Sequence, residues 1–284
     1  MRIYDCFTFY NEFDLLEIRL NELYNHVDYF VLVESNQTFT NIPKPFLFDE
    51  NKQRYSKFLD KIIHIKVNDM PNSSNAWDNE THQRNCIMRG LTDAEDDDIV
   101  IVSDCDEVLR ATAVASMRTS DDVIFGLRMP LFNFKLNYMR VNPGQYDTWA
   151  MATRRSVLND VTPNSLRNMR FDMNQRGYHT STGGCKMIEH AGWHFGYLGN
   201  NEYLKDKARS FSHQEVNTPE FIEQIDVAAS IASRKEWDQR SANSYKIVEL
   251  VDTYFPECIV NEKTKYQDFI LDEHEASVYT LLPT

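Results

Sequence analysis

Short apolar runs and amphipathic segments alternate along the first 110 residues. The apolar runs are rich in β-branched and aromatic residues and predict buried strands at residues 3–9, 27–35, 61–67 and 98–104. Between them, residues 12–25 carry leucines at helical spacing, and residues 78–91 also follow a helical pattern. Strands that alternate with helices predict an α/β fold, in which helices cover both faces of a parallel sheet.

The pattern changes after residue 121. Residues 122–139 alternate apolar and polar side chains, which predicts antiparallel strands. Residues 183–199 are rich in glycine and aromatic residues and are expected to be a loop that lines a site. Residues 201–212 and 219–234 follow helical patterns, the second with Pro219 in its first turn. No repeat or low-complexity linker interrupts the chain, so residues 1–284 are expected to form a single domain with halves at 1–120 and 121–284.

Composition and charge narrow the class of protein. With 42% hydrophobic and 26% charged residues, the chain is expected to be globular. Its formal net charge of −13 gives no overall field that would attract nucleic acid, so bulk nucleic-acid binding is not expected. Acidic clusters instead suit a divalent cation, because hard metals prefer carboxylate oxygens.

The chain shows no targeting signal. The N-terminus, MRIYDCFTFYNEFDLL, lacks an apolar core of the signal-peptide type. No apolar stretch reaches the roughly 20 residues of a transmembrane helix. The five cysteines are widely spaced and form no CxxC motif, which favours free thiols. These features predict a soluble cytoplasmic protein.

The segment that carries candidate chemistry is Ser103-Asp104-Cys105-Asp106-Glu107, at the end of the clearest predicted strand. Ligands bind beyond the carboxyl ends of strands in open α/β sheets. There, Asp104 and Asp106 can converge on one cation that in turn holds a diphosphate. When a nucleotide sugar reacts, charge grows on the departing phosphate, and a divalent cation stabilises it. The acidic run at 93–98 precedes the strand, so we interpret it as a solvated loop.

Several segments extend this motif into a family resemblance. They resemble glycosyltransferase family 17, which includes the enzyme that adds the bisecting N-acetylglucosamine to N-glycans. The segments span residues 1–215 in order: YDCFTFYNEFDLLEIRLNEL, VDYFVLVESNQTF, KPFLF, QRNCIMRGL, DDIVIVSDCDEVLR, AGWHFGYLG and SFSHQE.

The resemblance implies a GT-A-like fold with a Rossmann-like sheet. Residues 1–120 would bind the nucleotide sugar, and residues 121–284 would bind a glycan or other hydroxyl acceptor. It implies a UDP-sugar donor, UDP-N-acetylglucosamine, together with Mn²⁺ (or Mg²⁺) at Asp104 and Asp106, and inversion at the anomeric carbon. Animal members carry a membrane anchor that this sequence lacks, which favours a small microbial or viral protein. Val108 and Leu109 also replace the family's Ile-Pro.

Inverting transfer needs a base for the acceptor hydroxyl. The resemblance to GT-A-like enzymes also implies a histidine late in the chain, because such enzymes often complete the metal site with one. Glu189 is the first candidate base and Asp147 the second. Glu189 could instead be a strand-edge carboxylate paired with a cation. His213 and His194 are the candidate histidine ligands, because neutral imidazole suits Mn²⁺.

Other residues are predicted to contact the donor. Trp193 offers an indole face for a sugar ring, and Arg84 offers a bidentate guanidinium for phosphate. Phe7 and Asn11, at the end of the first strand, and Glu34, at the end of the second, should border the base and ribose. Core packing is the alternative role for Phe7 and Trp193.

Two other classes of function remain open. A nucleotidyltransferase would share the fold, but no Gly-rich basic phosphate loop occurs near residues 6–14. A non-catalytic carbohydrate-binding protein would have no need of the paired aspartates. A glycosidase would place its two carboxylates on different elements.

Overall fold

The computed structural model describes residues 1–141, 146–176, 184–234, 245–251 and 254–272. Within these ranges the strands are β1 (Ile3–Thr8), β2 (Tyr29–Ser35), β3 (Ile62–Val67), β4 (Ile99–Asp104), β5 (Glu107–Leu109), β6 (Ile124–Asn133), β7 (Tyr138–Arg140), β8 (Tyr146–Arg154), β9 (Cys185–Ile188), β10 (Gly192–Gly196) and β11 (Tyr245–Ile247). The α-helices are α1 (Phe13–Leu23), α2 (Leu47–Glu50), α3 (Ala76–Asn85), α4 (Ala111–Arg118), α5 (Pro163–Arg176), α6 (Asn201–Ser210), α7 (Pro219–Glu223), α8 (Val227–Ser233) and α9 (Glu257–Asn261).

The sheet is parallel on one side and antiparallel on the other. Its main strand order is β11-β7-β6-β8-β4-β1-β2-β3. The strands β3, β2, β1 and β4 pair in parallel, as the alternating pattern predicted. Next, β8 joins β4 in antiparallel orientation, and β6 joins β8 in the same way. β9 and β10 pair in parallel with β6, and β5 pairs with β10.

The parallel strands are buried on both faces because helices cover each side. Alternate residues of a strand point to opposite faces. Phe7, Leu32 and Ile101 therefore pack with α1 and α4, whereas Cys6 and Val33 belong to the core on the side of α5. The predicted α/β architecture, with helices on both faces, is confirmed.

The sequence-based prediction for residues 183–199 is wrong in part. β9 and β10 occupy much of this stretch and extend the sheet. A glycine makes this pairing possible, because a Cβ on Gly192 would lie only 2.1 Å from the backbone oxygen of Val108 on β5. Because Gly192 has no side chain, the backbones of β10 and β5 can approach each other closely at this point.

Two further predictions need correction. Residues 219–234 form two helices, α7 and α8, because the Asp226 carboxylate accepts a hydrogen bond from the backbone N–H of Ala229 (3.0 Å) and starts a new helix. Within the acidic run, Asp98 is buried rather than solvated. Its carboxylate accepts hydrogen bonds from the Arg2 backbone N–H (2.6 Å) and the Arg2 Nε (3.0 Å), which fixes the start of β4 beside β1.

Two properties bear on the environment of the protein. Among the described residues, no helix has both the length and the apolar character needed to cross a bilayer. All five cysteines are free thiols, as predicted.

A buried guanidinium on α1 supports the turn that follows β4. The Arg19 side chain is fully buried and pairs with the equally buried Asp5 on β1, with Nε 2.7 Å from Oδ2. Its Nη1 donates to the backbone oxygens of Asp104 (3.0 Å) and Glu107 (2.9 Å), and its Nη2 donates to Ser103 Oγ (2.6 Å). Because carbonyl groups without partners are costly inside a protein, Arg19 stabilises this turn.

We expect Arg19→Met to lower the free energy of unfolding by about 3–5 kcal/mol, because Asp5 would keep a buried charge without a partner. Arg54→Met is the matched control. Arg54 pairs with Asp14 and Glu17 on the surface, and such pairs contribute about 1 kcal/mol or less. Urea denaturation measures both variants. Equal losses in the two would contradict this role for Arg19.

Candidate active site

A deep cleft lies at the carboxyl ends of β1, β2 and β4, where the fold places ligands. Its volume is about 380 Å³. Both halves of the chain line it. The first half contributes residues 8–12, 37–39 and 104–107 together with Lys44, Trp77, Glu80, Gln83 and Arg84, and the second half contributes Leu131, Asn133, Arg140, Trp149, Arg167, Arg170, His194, Gly196, Tyr197, Lys207 and residues 210–213.

Asp104 is the last residue of β4 and is held between two arginines. Its Oδ1 accepts from Arg84 Nη2 on α3 (3.0 Å), and its Oδ2 accepts from Arg167 Nη2 on α5 (2.9 Å). Burial favours the protonated form, but Arg167, Arg84 and Arg170 outweigh it and hold the pKa of Asp104 well below its usual range. The Asp104 carboxylate is therefore ionised, and each of its two oxygens accepts a hydrogen bond from an arginine.

Asp106 has a different environment. It is buried, with Oδ1 3.6 Å from His194 Nε2 and Oδ2 3.5 Å from Lys207 Nζ on α6. Burial raises the pKa of Asp106, but the charge of Lys207 and the interaction with His194 more than offset that effect, so the pKa is lowered. Asp106 thus presents an ionised carboxylate to the cleft with only long contacts to its neighbours.

Asp106, Glu107 and His194 form a group that could hold a metal ion. One ligand atom from each lies within 4.8 Å of the others. Two carboxylates and one imidazole suit Mn²⁺ or a related divalent cation. The Glu107 carboxylate is also fixed, because it accepts from Arg167 and from the backbone N–H of Asp104 (2.9 Å). The donor set fits a divalent cation, and it includes Asp106 and His194 of the four predicted ligands.

The other two predicted ligands are not part of this group. Asp104 is engaged by arginines, as described above. His213 stands at the cleft mouth, where its Nδ1 is 2.8 Å from Glu215 Oε1 and its ring packs edge-on against Trp77 at 4.7 Å. Trp77 is 45% exposed, so this pair forms an aromatic rim.

Several residues predicted to bind the donor do not reach the cleft. Phe7 is buried beneath the Arg19 guanidinium. Glu34 is buried against Lys44, His64 and the Phe48 backbone N–H. Trp193 is also buried, because alternation along β10 turns it away from the cleft that His194 faces.

Asn11 and Arg84 do line the cleft. Arg84, however, is occupied by other partners. It donates to Glu80 Oε1 (2.6 Å), Asn164 Oδ1 (2.8 Å) and Asp104. Most of its donors therefore already have acceptors from the protein.

The two candidate bases differ in position. Glu189 follows β9, is 53% exposed and pairs with Arg128 at 3.1 Å, which is the alternative role considered for it. Asp147 lies on β8 and pairs at 2.6 Å with Arg140, which lines the cleft. Since residues two apart on a strand share a face, Asp147 lies on the same side as the cleft-lining Trp149.

Sequence reasoning missed the cations of the second half. Arg167 and Arg170 are three residues apart on α5, and Lys207 lies on α6; all three line the cleft. The i, i+3 spacing on one helix was a detectable signal. No sequence pattern links α5 to the Asp104 turn, which lies 63 residues away from Arg167.

A parallel sheet with an acidic turn at its carboxyl edge, facing a cluster of basic side chains, is the arrangement at which α/β proteins bind ligands. Comparison with known proteins makes this specific. The chain matches glycosyltransferase family 17 over residues 1–283 and belongs to that family. Family membership and the observed sheet together confirm the predicted GT-A-like fold class.

The curated relatives are more distant. The chain is 26% identical over 145 residues to the beta-1,4-mannosyl-glycoprotein 4-beta-N-acetylglucosaminyltransferase of Rattus norvegicus, and equally to that of Homo sapiens. Each match covers 47% of this chain and only 27% of the relative. The relatives that match are mammalian, which contradicts the prediction of a microbial or viral cytoplasmic protein.

Solved structures are similar only at a coarse level. A mannosyltransferase from Pyrobaculum calidifontis, in complex with GDP-Man and Mn²⁺, is 12% identical with a TM-score of 0.42, and the match covers 84% of this chain and 72% of that one. The inositol-1-phosphate CTP transferase from T. maritima is 12% identical with a TM-score of 0.38, and its match covers 80% and 98%.

The Asp104 carboxylate should make stability depend on pH in a defined direction. Its pKa is lower in the folded protein than in the unfolded chain, where the pKa of an aspartate is about 3.9. Its stabilisation is therefore complete above about pH 5 and is lost as the pH falls towards the folded-state pKa. We expect the free energy of unfolding of the wild type to exceed that of Asp104→Asn at about pH 6, and the difference to narrow at about pH 3.

Urea denaturation across this pH range tests the expectation. Asp121→Asn, which changes an exposed aspartate away from the cleft, is the control and should show a small difference throughout. A difference between wild type and Asp104→Asn that widens on acidification would mean that Asp104 is not stabilised in its charged form.

Proposed function

We propose that the chain transfers N-acetylglucosamine from UDP-N-acetylglucosamine to a hydroxyl group of a glycan, with inversion at the anomeric carbon. The observation that carries the proposal is the convergence of Asp106, Glu107 and His194 at the carboxyl edge of the sheet, opposite a wall of cations. Family membership supports glycosyl transfer, and the names of the relatives support N-acetylglucosamine as the sugar.

Asp106, Glu107 and His194 would hold a divalent cation, Mn²⁺ or Mg²⁺. When bound, such a cation neutralises the charge that develops on the departing diphosphate. The protein orients its ligands from outside: Arg167 fixes Glu107, and Lys207 lies beside Asp106. Supporting contacts of this kind position ligands at metal sites.

The chemical step is a single displacement. The acceptor oxygen forms a bond to the anomeric carbon, the bond from that carbon to the phosphate oxygen breaks, and UDP leaves. The hydroxyl proton passes to a base on the opposite side of the sugar. Of the two predicted bases, Asp147 has the position that supports this role, because Arg140 holds it beside the cleft wall.

Donor binding is the first test. Calorimetric titration with UDP-N-acetylglucosamine, other UDP- and GDP-sugars and CTP should give tight binding of the first in Mn²⁺ and weaker binding in chelator. Asp106→Asn should lower the affinity for Mn²⁺ by at least about tenfold, since even the loss of a supporting contact at a metal site costs that much. Asp121→Asn should bind like the wild type.

Each alternative has its own result. Preference for CTP over every nucleotide sugar would favour a nucleotidyltransferase. Binding of free glycan without any nucleotide would favour a carbohydrate-binding protein. Metal affinity unchanged in Asp106→Asn would exclude the proposed metal site.

The base is tested by kinetics. Asp147→Asn should lower kcat by about 100-fold or more, the usual contribution of general base catalysis, while the affinity for the donor stays unchanged. Glu189→Gln is the matched control, because its carboxylate faces Arg128 outside the cleft. Loss of turnover in Glu189→Gln alone would reverse the assignment. Product NMR, which reads the anomeric configuration, tests inversion independently.

A further inference from the structure

The wall of the cleft formed by α5 and β8 contains buried N–H donors that have no acceptor among the residues that the structure describes. Arg167 is almost completely buried, and its Nη2 donates to both Asp104 and Glu107. Its Nε and Nη1 have no hydrogen-bond partner among the described residues. A buried guanidinium donor without an acceptor is costly, so it marks a place where an anionic ligand would be stabilised.

Arg170 lies one turn further along α5 and faces the same space. Its only described hydrogen bond is from Nη1 to the backbone oxygen of Trp149, at 3.3 Å. No carboxylate among the described residues lies within 4.0 Å of its guanidinium. Burial, together with repulsion from Arg167, lowers the pKa of Arg170 to about 10. Arg170 therefore remains charged at neutral pH, with no close anion to balance it.

Trp149 adds a third donor to this wall. Its indole Nε1 is buried and has no hydrogen-bond partner in the part of the chain that the structure describes, and its ring lies edge-on to His194 with ring centres 4.3 Å apart. His194 belongs to the candidate metal group. The free donors of Arg167 and Trp149 and the charge of Arg170 thus lie beside the position proposed for the cation.

We propose that Arg167, Arg170 and Trp149 form an anion subsite that receives the diphosphate of the nucleotide donor and of the nucleotide product. The inference rests on the proposed function and specifies how the phosphates are held. Guanidinium groups present planar pairs of N–H donors that match phosphate oxygens. Two such groups and one indole N–H on one wall can accept a diphosphate that the carboxylates of Asp104, Asp106 and Glu107 would otherwise repel.

This subsite differs from the one expected from the sequence. Arg84, predicted to hold phosphate, is bound through both terminal nitrogens to Glu80, Asn164 and Asp104, and only its buried Nε has no partner among the described residues. It keeps Asp104 ionised instead, and the phosphate contacts fall to the arginines of α5. Because these contacts do not pass through the cation, part of the affinity for UDP persists in chelator.

The test measures binding of UDP, uridine and inorganic pyrophosphate by calorimetry in chelator. Arg170→Met should weaken UDP and pyrophosphate at least about tenfold, the effect of losing one charged hydrogen bond, and leave uridine unchanged. Arg170→Lys should fall between Arg170→Met and wild type, since it keeps the charge but loses the fork. Arg128→Met, which removes an arginine outside the cleft, should match the wild type. Arg170 is the residue to change because it makes no buried ion pair among the described residues, so both Arg170 variants should fold.

The outcomes separate this proposal from the proposed function. UDP and pyrophosphate affinities unchanged in Arg170→Met would overturn the subsite while leaving the UDP-sugar donor intact. Equal weakening of uridine would also overturn it, because the effect would then not be on phosphate. If the wild type binds pyrophosphate in an Arg170-dependent manner but prefers another nucleotide to UDP, the subsite stands and the donor assignment fails.

Discussion

The Arg19 guanidinium is the interaction on which the cleft depends. It lies in the core between α1 and the sheet, satisfies the Asp5 carboxylate, and donates to backbone oxygens of the turn from Asp104 to Glu107. In a turn with three carboxylates in four residues, these like charges repel one another, and without Arg19 its backbone oxygens would lack hydrogen-bond donors. The buried Arg19 guanidinium donates to those backbone oxygens from the core side of the turn. The three carboxylates line the cleft on the other side.

A second layer of cations then neutralises the carboxylates from above. Arg84 and Arg167 engage Asp104, Arg167 engages Glu107, and Lys207 lies beside Asp106. The protein as a whole is acidic, with a net charge of −13, yet its cleft is lined by several basic side chains. The net charge of the whole chain is therefore a poor guide to the charge of a pocket, where nearby charges dominate over distant ones.

Prediction from the sequence succeeded for the parallel sheet, and it placed Asp104 and Asp106 at the carboxyl edge of that sheet, where the cleft lies. Both signals are local: buried strands are continuous apolar runs, and Asp104 and Asp106 follow such a run directly. It failed where side-chain direction mattered. Trp193 and His194 are neighbours in sequence, but strand alternation places one in the core and the other at the cleft. Gly192 looked like a loop residue, whereas it permits a close strand pairing.

The sequence by itself determined the α/β class, the family resemblance and the acidic turn. Each depends on the periodicity or motif of contiguous residues, which can be recognised without knowing their tertiary contacts. Only the tertiary structure decided which charges meet. Arg167 reaches Asp104 and Lys207 reaches Asp106 across 63 and 101 positions of the chain. Such pairings depend on how α5 and α6 pack against the sheet edge, and packing is a property of the whole fold rather than of any segment. The free arginine donors in the wall of the cleft became visible only once their neighbours were in place.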